Sequence, residues 1–151
     1  MGGEFRCGSR VEGRQLNLTS KCVSSQTQIL RDRLFRIENR EFQPATGKNR
    51  QISLNTEEDR ARVAERLIDL SRQQLAIDLE ALRQKEQAAR ESAVDFKIPG
   101  TDLRVKTFNE SYFDNREEEI RQRTDTLLNS FVESLEQAQE KIRRIENAYA
   151  D

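Results

Sequence analysis

The chain has 151 residues, a length that fits one domain, with 34% hydrophobic and 35% charged residues. A usual charged share is about a quarter, so the apolar material is too thin for a thick globular core yet ample for narrow helical seams. The net charge of −1 gives no whole-molecule attraction to nucleic acid or acidic membranes.

Charge is uneven along the chain. Residues 1–55 carry ten Lys/Arg and five Asp/Glu, whereas 56–95 carry seven and ten, and 116–151 carry six and nine. The first third is therefore basic and both later helical segments are acidic. Residues 1–22 hold four of the six glycines and show no sustained period, which reads as a flexible leader. Both cysteines, Cys7 and Cys22, fall in it. They could close a loop, but with no apolar signal core near Met1 free thiols in a cytoplasmic protein are the expectation.

Residues 23–55 read as a short basic helix and loop. Within the helix, 24–43, Ser24 or Ser25 can cap the start and Leu30, Leu34 and Ile37 share a face. Arg31, Arg33, Arg36 and Arg40 take much of the remaining surface, and Pro44 stops it. Arg33, Arg36 and Arg40 on one flank form a candidate anion site. Pairing with the acidic helices of the same protein is the favoured alternative, because no aromatic stacking set accompanies them.

A long helix is expected over 56–95, opened by Thr56 with three acids behind it, where the helix dipole favours negative charge. It carries two adjacent stripes, Val63, Leu67, Leu70 and Ile77 beside Ala64, Ile68, Leu75 and Leu82. A face so wide suits contact with more than one neighbour. A β-hairpin is expected over 96–108, because apolar and polar residues alternate on both sides of Pro99-Gly100. A lone two-stranded hairpin is marginal in water, so it should pack on the helix ends or join strands of another copy. Phe108, Tyr112 and Phe113 are the expected plug.

The last helix, 115–150, carries the clearest signal in the chain. Leu128, Phe131, Leu135, Ala138, Ile142, Ile145 and Tyr149 follow at alternating steps of three and four, one stripe of a helix. Ile142 to Tyr149 should face the broadest part of 56–95. Buried Leu and Ile each contribute roughly 1.5–3 kcal/mol, so a third helix should cover that region. Residues 24–43, a second copy and a different protein are the candidates.

The expected fold is mainly all-α: an elongated antiparallel helical hairpin or coiled coil with a short β-hairpin between its long helices and a shorter N-terminal helix. The layout of 56–150 resembles prefoldin-type chaperone subunits, in which long coiled-coil arms hang from assembled hairpins; secretion-type adaptors share the same outline. That resemblance implies a holdase gripping client polypeptides.

Chemistry has little foothold. With no histidine, the commonest general base and metal ligand is missing. Gly47-Lys48 lacks the flanking residues of a phosphate loop. The expectation is a non-enzymatic assembly or adaptor protein without cofactor, metal site or transmembrane segment. It would self-associate or bind partner proteins through Leu128, Phe131, Leu135, Ile142, Ile145, Tyr149, Val63, Leu67 and Leu70. A nucleic-acid role through the Arg-rich helix is the weaker alternative.

Overall fold

In the computed structural model, residues 10–11, 14–15, 20–39 and 50–148 are described. Two-residue strands β1 (Arg10–Val11) and β2 (Arg14–Gln15) pair antiparallel within the segment expected to be a flexible leader. Three helices follow, α1 (Ser20–Glu38), α2 (Arg50–Glu91) and α3 (Glu110–Ala148), with strands β3 (Asp95–Lys97) and β4 (Arg104–Lys106) between the last two. The mainly α-helical hairpin architecture is as expected.

The ends of the elements differ from the sequence reading, each for a local reason. α1 begins at Ser20, so neither Ser24 nor Ser25 caps it, and Val23 is wholly buried. It ends before Pro44: Asn39 donates both its backbone N–H (3.0 Å) and its Nδ2 (2.8 Å) to the Phe35 carbonyl. Pro44 lies outside the described residues. α2 begins six residues before Thr56, drawn out by burial of Leu54. Thr56 is not a cap; its hydroxyl donates back to the Ile52 carbonyl at 2.9 Å, one turn inside the helix. α3 begins at Glu110 rather than 115, because Asn109 Oδ1 accepts from the Tyr112 N–H at 3.1 Å. That is an N-cap contact, and Asp114 and Asn115 are left in the helix interior.

α2 is the spine. At 42 residues it is roughly 60 Å long, and α3 returns along it antiparallel. α1 also runs antiparallel to α2. Near its start, Gln74 Nε2 donates to Ser20 Oγ (2.8 Å) and Ser24 Oγ donates to Gln74 Oε1 (3.2 Å). Near its end, Arg33 meets Asp59 at 2.6 Å. The second face of α2 is thus covered by the chain's own first helix. Leu34, Val63, Leu67, Ile68 and Phe131 form one buried cluster, with Leu30, Ile37, Leu127, Leu128, Val132 and Leu135 packed around it. Ala64, Ser71, Ser134 and Ala138 are buried beside these larger residues, and side chains that small let helix axes approach. Cys22 is buried and disulfide-bonded, which corrects the expectation of free thiols for this residue. Cys7 lies outside the described residues.

One charged side chain is buried at the three-helix junction. Arg60, 5% exposed, extends the stripe Val63, Leu67, Leu70 back by one step. Its Nε donates to Ser134 Oγ of α3 at 3.1 Å, and Nη1 to Glu57 at 3.4 Å. Nη2 donates to Glu38 of α1 (3.2 Å) and to Gln137 of α3 (2.7 Å). The Ser134 hydroxyl in turn donates to the same Glu38 oxygen at 2.8 Å. A buried guanidinium is costly unless its donors are satisfied; here each of its three nitrogens has an acceptor.

Beyond the reach of α1, α2 and α3 continue as a two-helix arm. Most apolar side chains of α2 there, Leu75, Ile77, Leu79 and Leu82, are half-buried, while Ile120 and Thr124 of α3 are buried. α2 stops when Ser92 folds back, its hydroxyl donating to the Ala88 carbonyl at 2.9 Å. The hairpin then takes over: Thr107 N–H donates to the Val94 carbonyl (3.1 Å) and Val94 N–H to Thr107 Oγ1 (2.7 Å). Its turn is type II. The Thr101 N–H donates to the Ile98 carbonyl at 3.1 Å, Pro99 takes the second position and Gly100, at φ 80°, takes the third.

Two predictions follow from these contacts. Arg60→Ala leaves Ser134, Gln137 and Glu38 without their shared donor and should lower unfolding free energy by about 2–3 kcal/mol, since Glu38 can still reach water; urea denaturation followed by circular dichroism measures it. In Gly100→Ala the new methyl meets nothing within 4 Å, so only the left-handed backbone is penalised, by about 1 kcal/mol. Cross-strand NOEs between Phe96 and Val105 should weaken while the thermal midpoint of the helices stays unchanged.

Candidate functional site

The side chains expected to meet a partner lie mostly inside the chain's own bundle. Val63, Leu67, Leu70 and Phe131 are buried, and Leu128, Leu135, Ile142 and Ile145 are half-buried. Tyr149 is outside the described residues. The third helix meets α3 at Phe131 and Ser134 through Leu34 and Glu38, roughly two to three turns before the expected 142–149. The reason is the register of α3 on α2: Arg60 lies level with Ser134 and Gln137, so the part of α2 that α1 covers faces α3 ahead of Ile142.

The Arg-rich flank does not gather into a site. Arg33 is held by Asp59 of α2, Arg36 is exposed on the outer surface, and Arg40 lies outside the described residues. Arg62 also approaches Asp59, at 3.8 Å. Among the described residues, no group of three or more His, Cys, Asp or Glu side chains is placed to hold a metal ion, and no helix is long and apolar enough to cross a membrane.

Exposed apolar surface is concentrated elsewhere. On α1, Ile29 (57%) and Phe35 (66%) are open, but six residues separate them, which sets them about 120° apart around the helix. Single exposed side chains of this kind are ordinary. At the far end of the arm the situation differs. Pairing Phe96 with Val105 in register puts Val94, Phe96 and Ile98 on the same face as Leu103, Val105 and Thr107. Val94, Phe96, Leu103 and Val105 are 55%, 47%, 65% and 37% exposed. The opposite face carries Asp95, Lys97, Arg104 and Lys106, with Arg104 to Asp95 at 3.5 Å and Lys97 reaching Asp102 at 3.4 Å. The ribbon is amphipathic, and its apolar side is open.

Neither strand packs on a helix. The expected plug does not cover the hairpin. Phe108 stacks on Phe113 with centroids 5.5 Å apart, Tyr112 meets Phe113 edge-on at 5.1 Å, and the Arg90 guanidinium lies 4.4 Å over Phe108. These contacts tie the end of α2 to the start of α3 and brace the base of the hairpin. Tyr112 stays 56% exposed beside it. The period-two pattern revealed the apolar side of this ribbon, but nothing in the sequence disclosed that the helices would leave it bare. Arg60 was also legible, as a basic residue one step before Val63 on the α2 stripe.

Comparison with protein-family models, with curated proteins and with solved structures finds no match to the chain.

Proposed function

We propose that this chain is a non-enzymatic assembly or adaptor protein that docks through its hairpin tip. The helical seams fold the molecule and hold that tip at the end of a stiff arm. The observation that supports this reading is the open apolar face of Val94, Phe96, Leu103 and Val105 on a two-stranded ribbon that no helix covers. A two-stranded hairpin is marginal in water by itself, and contiguous apolar side chains at a protruding tip are a usual mark of an interaction surface. The arm supplies reach, since the α2–α3 pair projects beyond the three-helix junction. A disulfide-bonded Cys22 suits an oxidising compartment better than the reducing cytoplasm expected at first.

Site-specific photo-crosslinking tests the reading. A photoreactive residue at Leu103 should cross-link to protein in cells that make the chain, and one at Phe35, exposed on α1, should not. Labelling from Phe35 with none from Leu103 would sink the idea.

A further inference from the structure

We infer that Asn109 is an N-linked glycosylation site, with an oligosaccharide carried on its side-chain Nδ2. Asn109-Glu110-Ser111 has the acceptor pattern, an asparagine with a hydroxyl two residues on and no proline between. So short a pattern recurs by chance, and alone it decides little. Two structural observations take it further. Cys22 is disulfide-bonded, which suits an oxidising compartment, and a secretory lumen is where a chain meets the glycosyl transferase. The second observation is the setting of Asn109 itself.

Asn109 is exposed, in the short non-helical link between β4 and α3. The helix that it caps fixes the orientation of its amide. The Tyr112 N–H requires an acceptor and has Asn109 Oδ1 at 3.1 Å, so the oxygen faces α3 and Nδ2 is turned away from it. Nδ2 makes no hydrogen bond among the described residues. The atom that is modified is therefore the one the fold leaves in water. The donor is an oligosaccharide held on a lipid diphosphate. The bond from Nδ2 to the sugar C1 forms and the C1–O bond to the diphosphate breaks. The lipid diphosphate leaves with the electron pair, and Nδ2 gives up one proton to a base. The product is still an amide, so Oδ1 remains an acceptor and the cap on α3 survives. A bulky, solubilising group at this place points into solvent. Other asparagines on α2 and α3 are not candidates, because Asn55, Asn115, Asn129 and Asn147 lack the hydroxyl two residues on. Asn17-Leu18-Thr19 has the pattern but lies outside the described residues. The inference is independent of docking at the tip, since Asn109 lies beyond the paired stretch that ends at Thr107.

The test sends the full chain, behind a cleavable signal sequence, through the secretory route of eukaryotic cells. Asn17→Gln is included so that one acceptor pattern remains. Enzymatic release of N-glycans in heavy-oxygen water, followed by peptide mass spectrometry, should mark position 109 in most molecules of the recovered chain. Asn109→Asp keeps an acceptor for the Tyr112 N–H. It should lose the glycan completely while the helical circular-dichroism spectrum stays unchanged. Ser111→Ala, at an exposed position, should lose the glycan as well, whereas Ser111→Thr should retain it. Position 109 left unmarked in a folded, recovered chain would overturn the inference. So would a glycan that persists in Asn109→Asp or in Ser111→Ala, or a Cys22 open to alkylation without reductant. None of these outcomes bears on cross-linking from Leu103, so the docking reading stands or falls separately.

Discussion

Arg60 sets the register of the three helices. Taking its guanidinium out of water costs several kcal/mol, and that cost is offset only where acceptors converge from every side. Glu38 arrives from the last turn of α1, Ser134 and Gln137 from the middle of α3, and Glu57 from the turn before on α2 itself. The apolar seam is more permissive. Leucine and isoleucine recur along α2 from Val63 to Leu82, so sliding α1 by a heptad would still set aliphatic against aliphatic. The same slide would carry Glu38 about 10 Å away along the axis and leave a buried charge unmatched. Burial of apolar surface supplies most of the cohesion; the arginine decides which of several similar packings is adopted.

From that junction the rest of the layout follows. Because Glu38 is the last residue of α1 and meets Arg60 near the start of α2, the antiparallel α1 covers α2 only as far as about Gln74. Above that level α2 and α3 have only each other. The buried positions accordingly gather between Leu54 and Ser71 on α2, whereas Leu75 to Leu82 are half-covered. A two-helix arm can shield a narrow stripe and no more, which matches the thinning of the α2 stripe to alanines beyond Leu82.

The sequence was most informative where one periodicity acted over many residues. The α3 stripe, the length of α2 and the alternation around Pro99-Gly100 each reflect repeated local choices that agree with one another, so the elements were legible. Their ends were not. Thr56 with three acids has every local mark of a helix start, yet burial of Leu54 extends the helix through it. Asp114-Asn115 has the same marks, yet Asn109 caps first and holds the aromatic cluster in place. In both cases a tertiary contact worth a few kcal/mol outweighs a cap worth about 1. The covering of the wide α2 face could not be read either, because intramolecular and intermolecular helices would present the same apolar residues to it.

That last point moved the candidate interface. Reading stripes alone assigns the partner surface to Val63, Leu67 and Phe131, which the folded chain buries against itself. Removing those side chains from consideration leaves the apolar face of the hairpin, where a covering was expected from Phe108, Tyr112 and Phe113. Those rings are engaged with one another and with Arg90 instead. The division is physically economical. A bundle held in register by a buried polar network needs nothing from the tip to stay folded, and the tip, joined to it through Val94 and Thr107, can expose apolar side chains without weakening the core. Surface that would destabilise a small globule by inviting misassembly is tolerable here because Asp95, Lys97, Arg104 and Lys106 keep the ribbon's other face and edges charged. One face of the ribbon is apolar and open, and the other is charged.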